Sequence, residues 1–433
     1  MEDQQLSMTV KKALWRLVPI LLTGYILAYI DRINIGFAAL TMNQDLGISP
    51  YIYGLVAGVF FWGYFLFEVP SNMMLQKVGA RLWLSRIIIS WGLIAAGCSM
   101  AQGEKSLLIM RFLLGAAEAG FYPGVILYLT YWFPKQYRAF AVATFTIGIP
   151  VSLGIGAPIS TAILQLDGLM GLKGWQWLFL CEGLPTVLFG CVFLAVVPDK
   201  PKDAKWLTQD EREQLQRVID SEHNAVTVMH GNSWFKALID PRVLMLAVLY
   251  FINTTANLGL AFFLPQMLKR MGLTGMDIGW VTAIPYIFGT IGMLGFGYIS
   301  DKKNLRKSGV VAGFIFIGMG LIGAGMATSV PVMIAMMSVG AMGMYGLKAP
   351  FWTLPSMFLA GQAAAVGIAV INSIGNLGGF AGPYAVGWIR ESTGAFESGL
   401  YLLGGLGLAA ALITILFVHV EKTAKAAPEK AGS

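Results

Sequence analysis

Long apolar runs dominate the chain, and polar stretches separate them at regular intervals. Each run is about 20–25 residues long, enough for a helix to cross the hydrocarbon core of a bilayer. The runs are continuously apolar and do not alternate, which predicts membrane helices and not the strands of a barrel. We therefore predict an all-α integral membrane protein with twelve transmembrane helices, numbered here as spans 1–12 in chain order, near residues 16–40, 52–75, 83–101, 106–132, 138–165, 175–197, 242–268, 277–299, 309–327, 330–358, 363–389 and 399–419.

Composition agrees with this class and argues against an enzyme. Of the 433 residues, 56% are hydrophobic and 12% are charged, whereas soluble domains carry about 25% charged residues. Cys98, Cys181 and Cys191 lie in predicted spans without a CxxC pair, which favours a packing role. No histidine falls in the middle of a span. We find no metal-ligand spacing and no nucleophile–base cluster, so we predict no enzyme, no metal and no cofactor. A receptor would need a larger soluble output domain.

One long polar segment divides the spans into six and six. In the linker, Thr208 and Glu211 have the spacing of a capping box ahead of an amphipathic stretch, which favours a surface helix over a binding domain. The first apolar run follows MEDQQLSMTVKK without an obvious cleavage site, so we predict a retained first helix. The predicted parts are an N-terminal half (1–197), a linker with an amphipathic helix (198–241), a C-terminal half (242–420) and a tail (421–433).

The basic residues sort by membrane side. Of the 30 lysines and arginines, 22 lie before span 1, after even-numbered spans, in the linker or in the tail, five lie on the opposite side, and three lie within spans. The positive-inside rule then predicts that both termini are cytoplasmic. Because the basic residues follow the membrane topology, the net charge of +7 does not indicate a nucleic-acid partner.

Five ionisable residues interrupt the apolar runs: Asp31, Arg32, Arg111, Glu118 and Lys348. Such groups are costly at membrane depth unless they are paired or line a wet cavity, so they mark paths for substrates, ions or protons. Arg111 and Glu118 are two helical turns apart and should share one helix face. The pattern predicts a transporter of charged solutes.

The two halves repeat a loop weakly, and several motifs carry a resemblance to a known family. The loops Asn72–Arg81 and Gly297–Lys302 look like degenerate copies of the loop motif of the major facilitator superfamily, although Gln76 replaces its acidic residue. The segments AYIDRINIGFA, FEVPSNMMLQKVGAR, RFLLGAAEAGFYPG and INSIGNLGGFAGP resemble the anion:cation symporter family, in its phthalate, tartrate and sugar-acid permease branch. The resemblance implies two pseudo-symmetric six-helix halves (the major facilitator fold), a monomer, and a bacterial inner membrane.

The resemblance also implies roles for individual residues. In the family, the arginines that match Arg32 and Arg111 take part in binding the anion and ordering the gate. The carboxylates that match Asp31 and Glu118 carry protonation coupling, and the tyrosine that matches Tyr64 contacts substrate. From the residues alone, Arg32 could instead form a structural ion pair with Asp31 or Glu118.

The remaining candidates come from spacing within the spans. Tyr122 lies one turn beyond Glu118, and Lys348 and Trp352 share a helix face. We predict Lys348 as a second positive contact for substrate, with an interfacial lysine as the alternative. Further predicted substrate ligands are Asn372 and Asn376, which could instead bridge helices.

Two acidic residues are predicted to act at gates or helix ends, namely Glu68 and Asp301, while Glu182 is predicted to be structural. These features predict a proton-coupled symporter that imports a small organic anion by alternating access. The anion would be an aromatic carboxylate or dicarboxylate such as phthalate, or a hydroxy or sugar acid. The alternative is a proton-antiport exporter of organic anions or drugs, since span 5 partly matches the antiporter glycine–proline motif but lacks its final glycine pair at Ile159 and Ser160.

Overall fold

The computed structural model describes residues 2–227, 239–303, 305–359 and 361–418. Within these ranges every regular element is a helix. A few side chains, including that of Asp301, lie outside the described residues, as does the predicted tail. The gating role of Asp301 therefore stays a prediction.

The helices follow the predicted spans closely. In the first half they are Glu2–Asp45 (span 1), Pro50–Val78 (span 2), Ala80–Gly97 (span 3), Glu104–Glu118 and Phe121–Trp132 (span 4), Lys135–Thr146 and Gly148–Leu164 (span 5), and Gly174–Val196 (span 6). The linker helix is Gln209–Thr227. In the second half they are Pro241–Arg270 (span 7), Met276–Lys303 (span 8), Arg306–Gly325 (span 9), Val330–Gly346 and Lys348–Thr353 (span 10), Gly361–Asn376 and Gly378–Thr393 (span 11), and Glu397–Phe417 (span 12).

Span 11 is the one predicted span that is missing from the described helical segments long and apolar enough to cross a membrane. Eleven helical segments of the described chain are long and apolar enough to cross a membrane. Span 11 is split at Leu377 into two helices of 16 residues each. Neither piece alone reaches the roughly 20 residues that a bilayer requires, but the two in succession do.

Four spans are interrupted near their middles, a feature that the apolar pattern did not predict. Span 4 breaks at Ala119–Gly120, where Gly120 has a φ of +88°, a conformation that costs glycine little. Spans 5, 10 and 11 are interrupted for one residue each, at Ile147, Leu347 and Leu377. Spans 4 and 5 of the first half correspond to spans 10 and 11 of the second, so the interruptions follow the repeat. The backbone at Ile147, Leu347 and Leu377 keeps right-handed helical φ and ψ, so only span 4 has a break of the kind that lines substrate sites in transporters.

Hydrogen bonds join the two halves at one face of the membrane region. We call the face on which the linker helix Gln209–Thr227 lies the linker face, and the opposite one the loop face. At the loop face, the hydrogen bonds that cross between the halves include those from Tyr53 Oη to the Phe262 carbonyl (2.8 Å) and from Lys269 Nζ to the Leu40 carbonyl (2.5 Å). Glu391 Oε2 also accepts across the halves, from Ser49 Oγ (2.7 Å) and from the Tyr51 amide (2.8 Å). The halves are thus closed against each other at the loop face.

The linker helix packs on the first half. Its predicted capping box is confirmed, because the Thr208 amide donates to Glu211 Oε2 (3.0 Å) and the Glu211 amide donates to Thr208 Oγ1 (3.3 Å). Lys12, ahead of the apolar part of span 1, forms an ion pair with Glu211. Just before the helix, the Trp206 ring stacks on Trp132 with centroids 5.6 Å apart. These contacts hold the linker against the linker-face ends of spans 1 and 4.

Asp199 binds the start of span 3, close to where Gln76 replaces the acidic residue of the loop motif. The Asp199 carboxylate accepts a hydrogen bond from the backbone amide of Arg81 at 2.7 Å. Arg81 Nε in turn donates to the Leu194 carbonyl at 2.7 Å. A carboxylate near a helix N-terminus is electrostatically favourable. Asp199 therefore links the end of span 6 to the start of span 3, although Gln76 replaces the acidic residue of the loop motif.

Candidate functional site

Arg32 lies at the centre of the candidate site. Its guanidinium forms a hydrogen-bonded ion pair with the carboxylate of Glu118. The rings of Tyr29, Phe60 and Tyr64 surround it, with centroids 4.9, 5.0 and 5.4 Å from Arg32 Cζ. The Arg32 side chain is 13% exposed and that of Glu118 is 1% exposed. The arginine is therefore held by its partner and by aromatic faces while part of it stays accessible.

The local sequence explains why Glu118 reaches Arg32. Glu118 is the last residue of the first helix of span 4, directly before the break at Gly120. Span 4 can approach span 2 closely because residue 115 is glycine, and a Cβ there would lie 1.9 Å from the Phe60 carbonyl oxygen. This contact places the end of the helix, and with it the carboxylate, beside span 1.

Arg111 lies behind Arg32 and not in the accessible part of the site. Its side chain is fully buried, and its Nη2 donates to the backbone carbonyl of Arg32 at 3.2 Å. Its guanidinium also lies 5.4 Å from the Phe60 ring centroid. In this conformation Arg111 positions the backbone that carries Arg32, and direct contact with substrate stays a prediction that would require a rearrangement.

Asp31 forms its hydrogen bonds with spans 3 and 6, and it forms no ion pair with either arginine. Its Oδ2 accepts a hydrogen bond from Trp91 Nε1 at 3.0 Å and lies 3.0 Å from Thr186 Oγ1. Thr186 Oγ1 lies 3.0 Å from the Glu182 carbonyl as well. A threonine hydroxyl has one proton, so when it donates to that carbonyl, a protonated Asp31 can donate to it. The geometry therefore fits both the ionised and the protonated form of Asp31.

Glu68 lies one helical turn beyond Tyr64, towards the linker-face end of span 2. Its side chain is buried, and it is close enough to Arg32 and Tyr64 to interact with both electrostatically. The backbone carbonyl of Glu68 accepts a hydrogen bond from Asn72 Nδ2 at 2.9 Å. The position is compatible with the predicted gate or helix-end contact, which stays a prediction.

In the second half, Lys348 and Trp352 lie among aromatic rings just after the interruption of span 10. Lys348 Nζ is 4.8 Å from the Tyr345 ring centroid, and Trp352 packs edge-on against Tyr250 at 4.9 Å. Tyr250 also stacks on Phe351 at 5.6 Å. Among the described residues Lys348 forms no ion pair. It is a half-buried cation without a carboxylate partner there, and its contact with substrate stays a prediction.

Asn372 and Asn376 lie at the end of the first helix of span 11. Both are half-buried, and Asn376 directly precedes the interruption at Leu377. Within the described part of the chain, neither side chain forms a hydrogen bond to protein. Both the role as substrate ligands and the role as bridges between helices stay predictions.

Tyr122 lies where the two halves face each other. Its ring is 5.4 Å from that of Tyr25 and 5.8 Å from that of Phe145. Tyr250 of span 7 is close enough to Tyr29 and Tyr122 to interact with them electrostatically. Because span 4 breaks at Gly120, Tyr122 does not continue the helix face of Arg111 and Glu118 as its spacing suggested.

The sequence analysis did not predict the partners of Asp31. Trp91 and Thr186 are fully buried and make the hydrogen-bonding contacts with its carboxyl. The only available signal was the four-residue spacing of Glu182 and Thr186, which puts both on one face of span 6. No group of three potential metal ligands occurs in the described ranges.

Comparison with known proteins decides the family. The family model described as Major Facilitator Superfamily matches residues 21–383. The chain belongs to the Major Facilitator Superfamily. Several superfamily relatives cover nearly the whole chain, among them the following two. A protein of Agrobacterium vitis named "Putative tartrate transporter" is 46% identical over 94% of this chain and 91% of its own length. A "Quinolone resistance transporter" of Acinetobacter baumannii is 40% identical over 95% of this chain and 96% of its own.

A solved superfamily structure shows the same fold. The xylose transporter XylE from E. coli, in an inward open conformation, superposes with a TM-score of 0.74 at 16% identity, over 95% of this chain and 97% of that one. The protein is therefore a multi-pass membrane transporter with the major facilitator fold, and not an enzyme.

Proposed function

We propose that this protein is a proton-coupled symporter that imports a small organic anion. The observation that carries the proposal is the buried ion pair between Arg32 and Glu118, at the break of span 4 and within reach of the accessible site. A substrate carboxylate is chemically equivalent to Glu118 as a partner for the guanidinium fork.

The exchange of partners couples the anion to a proton. When a substrate carboxylate takes Arg32, Glu118 loses its cation and stays 1% exposed, where a lone carboxylate is strongly disfavoured. Glu118 then takes up a proton. When the anion leaves, Glu118 releases the proton and pairs with Arg32 again. Neither step leaves an unpaired charge in the membrane interior, which is the requirement for moving between the two faces.

The direction of transport follows from the orientation of the protein in the membrane. With the predicted cytoplasmic termini, the linker face is cytoplasmic and the closed loop face is periplasmic, in a bacterial inner membrane. The structure then corresponds to the inward-facing state of the cycle. We expect a monomer, because the site is formed within one chain.

The substrate is a small carboxylate. The positive charges of Arg32, Arg111 and Lys348 favour an anion. The half-buried asparagines of span 11 favour hydroxyl groups on the substrate, and the rings of Tyr250 and Trp352 suit an aromatic ring. The relative named as a tartrate transporter favours a hydroxylated dicarboxylate over phthalate.

A second function, export by proton antiport, is favoured by the relative named as a quinolone resistance transporter. It would use the same Glu118 proton with opposite coupling, since substrate and proton would then compete for the carrier.

Transport in proteoliposomes separates the two. Purified protein is reconstituted, a pH gradient is imposed, and radiolabelled L-tartrate, phthalate and ciprofloxacin are followed. Symport predicts accumulation of a carboxylate on the alkaline side. Accumulation of any compound on the acidic side would replace symport by antiport, and movement of none of them would remove the proposed substrate class.

A further inference from the structure

A second group of buried polar side chains lies in the first half, on the loop-face side of Asp31. Glu182 Oε1 accepts a hydrogen bond from Ser160 Oγ at 2.8 Å, and the Asn34 amide lies next to the Glu182 carboxyl without full hydrogen-bond geometry. Glu182 is 6% exposed, while Asn34 and Ser160 are each 1% exposed. Oε2 of Glu182, Oδ1 of Asp31 and both amide atoms of Asn34 have no hydrogen-bond partner among the described residues.

Neither carboxyl of this group has a cation. In the described ranges Asp31 and Glu182 form no ion pair. Arg111 acts on Asp31 from a distance, but its Nη2 is bound to the Arg32 carbonyl. Two unpaired carboxylates that interact in a buried site cannot both stay ionised, so the pair holds at least one proton. The other titratable groups around the pair are Glu118 of span 4, Cys98 and Cys181.

We propose that Glu182 is a further proton-binding residue of the carrier, which exchanges a proton with Asp31 and lies between it and the loop face. The proposal rests on the proposed function. Glu182 is eight residues into span 6 from the loop face, about 12 Å along the helix, and Thr186 beside Asp31 is one turn deeper. A proton that leaves Glu182 is taken up by Asp31, so the pair keeps a single negative charge during this transfer. Thr186 adapts to either form, because its hydroxyl can donate to Asp31 or accept from it.

The direct test is infrared difference spectroscopy of the purified full-length protein during a pH change, with no substrate present. The variant is Glu182→Gln, which keeps an oxygen to accept from Ser160, and the control is Glu104→Gln at an exposed carboxyl of the same half. We expect a protonated-carboxyl band that Glu182→Gln removes and Glu104→Gln leaves. Spectra of both variants identical to the parent would overturn the proposal.

A transport assay tests whether Glu182 contributes to proton coupling. One coupled proton is worth about a tenfold accumulation per pH unit of gradient, and Glu182→Gln should lose about this factor for L-tartrate while exchange between tartrate-loaded vesicles continues. Unchanged accumulation would overturn the role of Glu182. A parent protein that moves no tartrate but shows the band would instead count against the proposed function alone.

A second variant, Ser160→Ala, tests the proposal if Glu182→Gln does not fold. Ser160→Ala removes the hydrogen-bond donor to Glu182 and leaves the carboxyl in place. The midpoint pH of the band should shift in Ser160→Ala, because a donor stabilises the ionised form. An unchanged midpoint would mean that the band does not come from Glu182.

Discussion

The two halves share one backbone plan but carry different chemistry. In the first half, the break of span 4 holds Glu118, which pairs with Arg32. In the second half, the corresponding interruption of span 10 holds Lys348, which lies over Tyr345 and has no ion-pair partner in the described ranges. The fold sets where a polar group interrupts the apolar helix, and the residue type at that place sets its task. We infer that the first half couples the binding of a carboxylate at Arg32 to a proton, and that the second half orients the anion.

Substitution of Arg32 should have the largest effect on uptake. Arg32→Lys keeps the charge but loses the planar fork that pairs with Glu118 among three rings. We expect uptake of L-tartrate to fall to near background while the protein inserts and purifies normally. Arg111→Lys should also lose most uptake, because its Nη2 holds the Arg32 carbonyl.

Arg86→Lys is the matched control, since Arg86 is exposed and lies on Trp83 outside the site. Parent-like transport by both Arg32→Lys and Arg111→Lys would show that a positive charge is sufficient at these positions and that the planar guanidinium is not required. The arginines of the first half would then be no different from Lys348 of the second.

Substitution of Lys348 tests how the second half contributes to substrate binding. If it binds a second carboxylate, Lys348→Gln should weaken a dicarboxylate far more than its monocarboxylate analogue. A lost charge-assisted hydrogen bond is worth about 1.5–3 kcal/mol, or roughly 10- to 150-fold in affinity. Calorimetric titration of L-tartrate and of glycerate measures the difference, and equal losses for both ligands would take Lys348 out of the site.

The smallest effect is expected outside the membrane, at the linker helix. Burial alone would raise the pKa of Glu211, but the hydrogen bonds from Lys12 and Thr208 outweigh it and lower that pKa. A lowered pKa in the folded state stabilises the contact above the ordinary pKa of a glutamate, and this stability is lost as the pH falls through the folded value. Because Lys12 is 55% exposed, Glu211→Gln should cost less than about 1 kcal/mol.

Thermal unfolding of Glu211→Gln and the parent between pH 3 and pH 7 checks this expectation. The two melting curves should converge at the acidic end and differ slightly at neutral pH, with unchanged uptake. A neutral-pH loss comparable to that of a core substitution would show that the linker helix supports the fold.

Sequence reasoning predicted the fold and the charged residues, and left open whether Arg32 pairs with Asp31 or with Glu118. Apolar run length is enough to place spans, because every backbone polar group in a bilayer must be satisfied within a helix. The pairing of Arg32 with Glu118, and the separation of Asp31 from the arginines, depend on the break at Gly120 and on the approach of span 4 through Gly115. Both are properties of helix packing that spacing along one helix does not contain.

The central claim is that Glu118 exchanges Arg32 for a proton whenever the anion binds. Glu118→Gln tests it most directly in proteoliposomes, because glutamine can accept one hydrogen bond from Arg32 but cannot change its charge. The account predicts that Glu118→Gln still exchanges labelled for unlabelled L-tartrate across the membrane but no longer accumulates it against a gradient when a pH difference is imposed. Accumulation by Glu118→Gln equal to that of the parent would contradict the account.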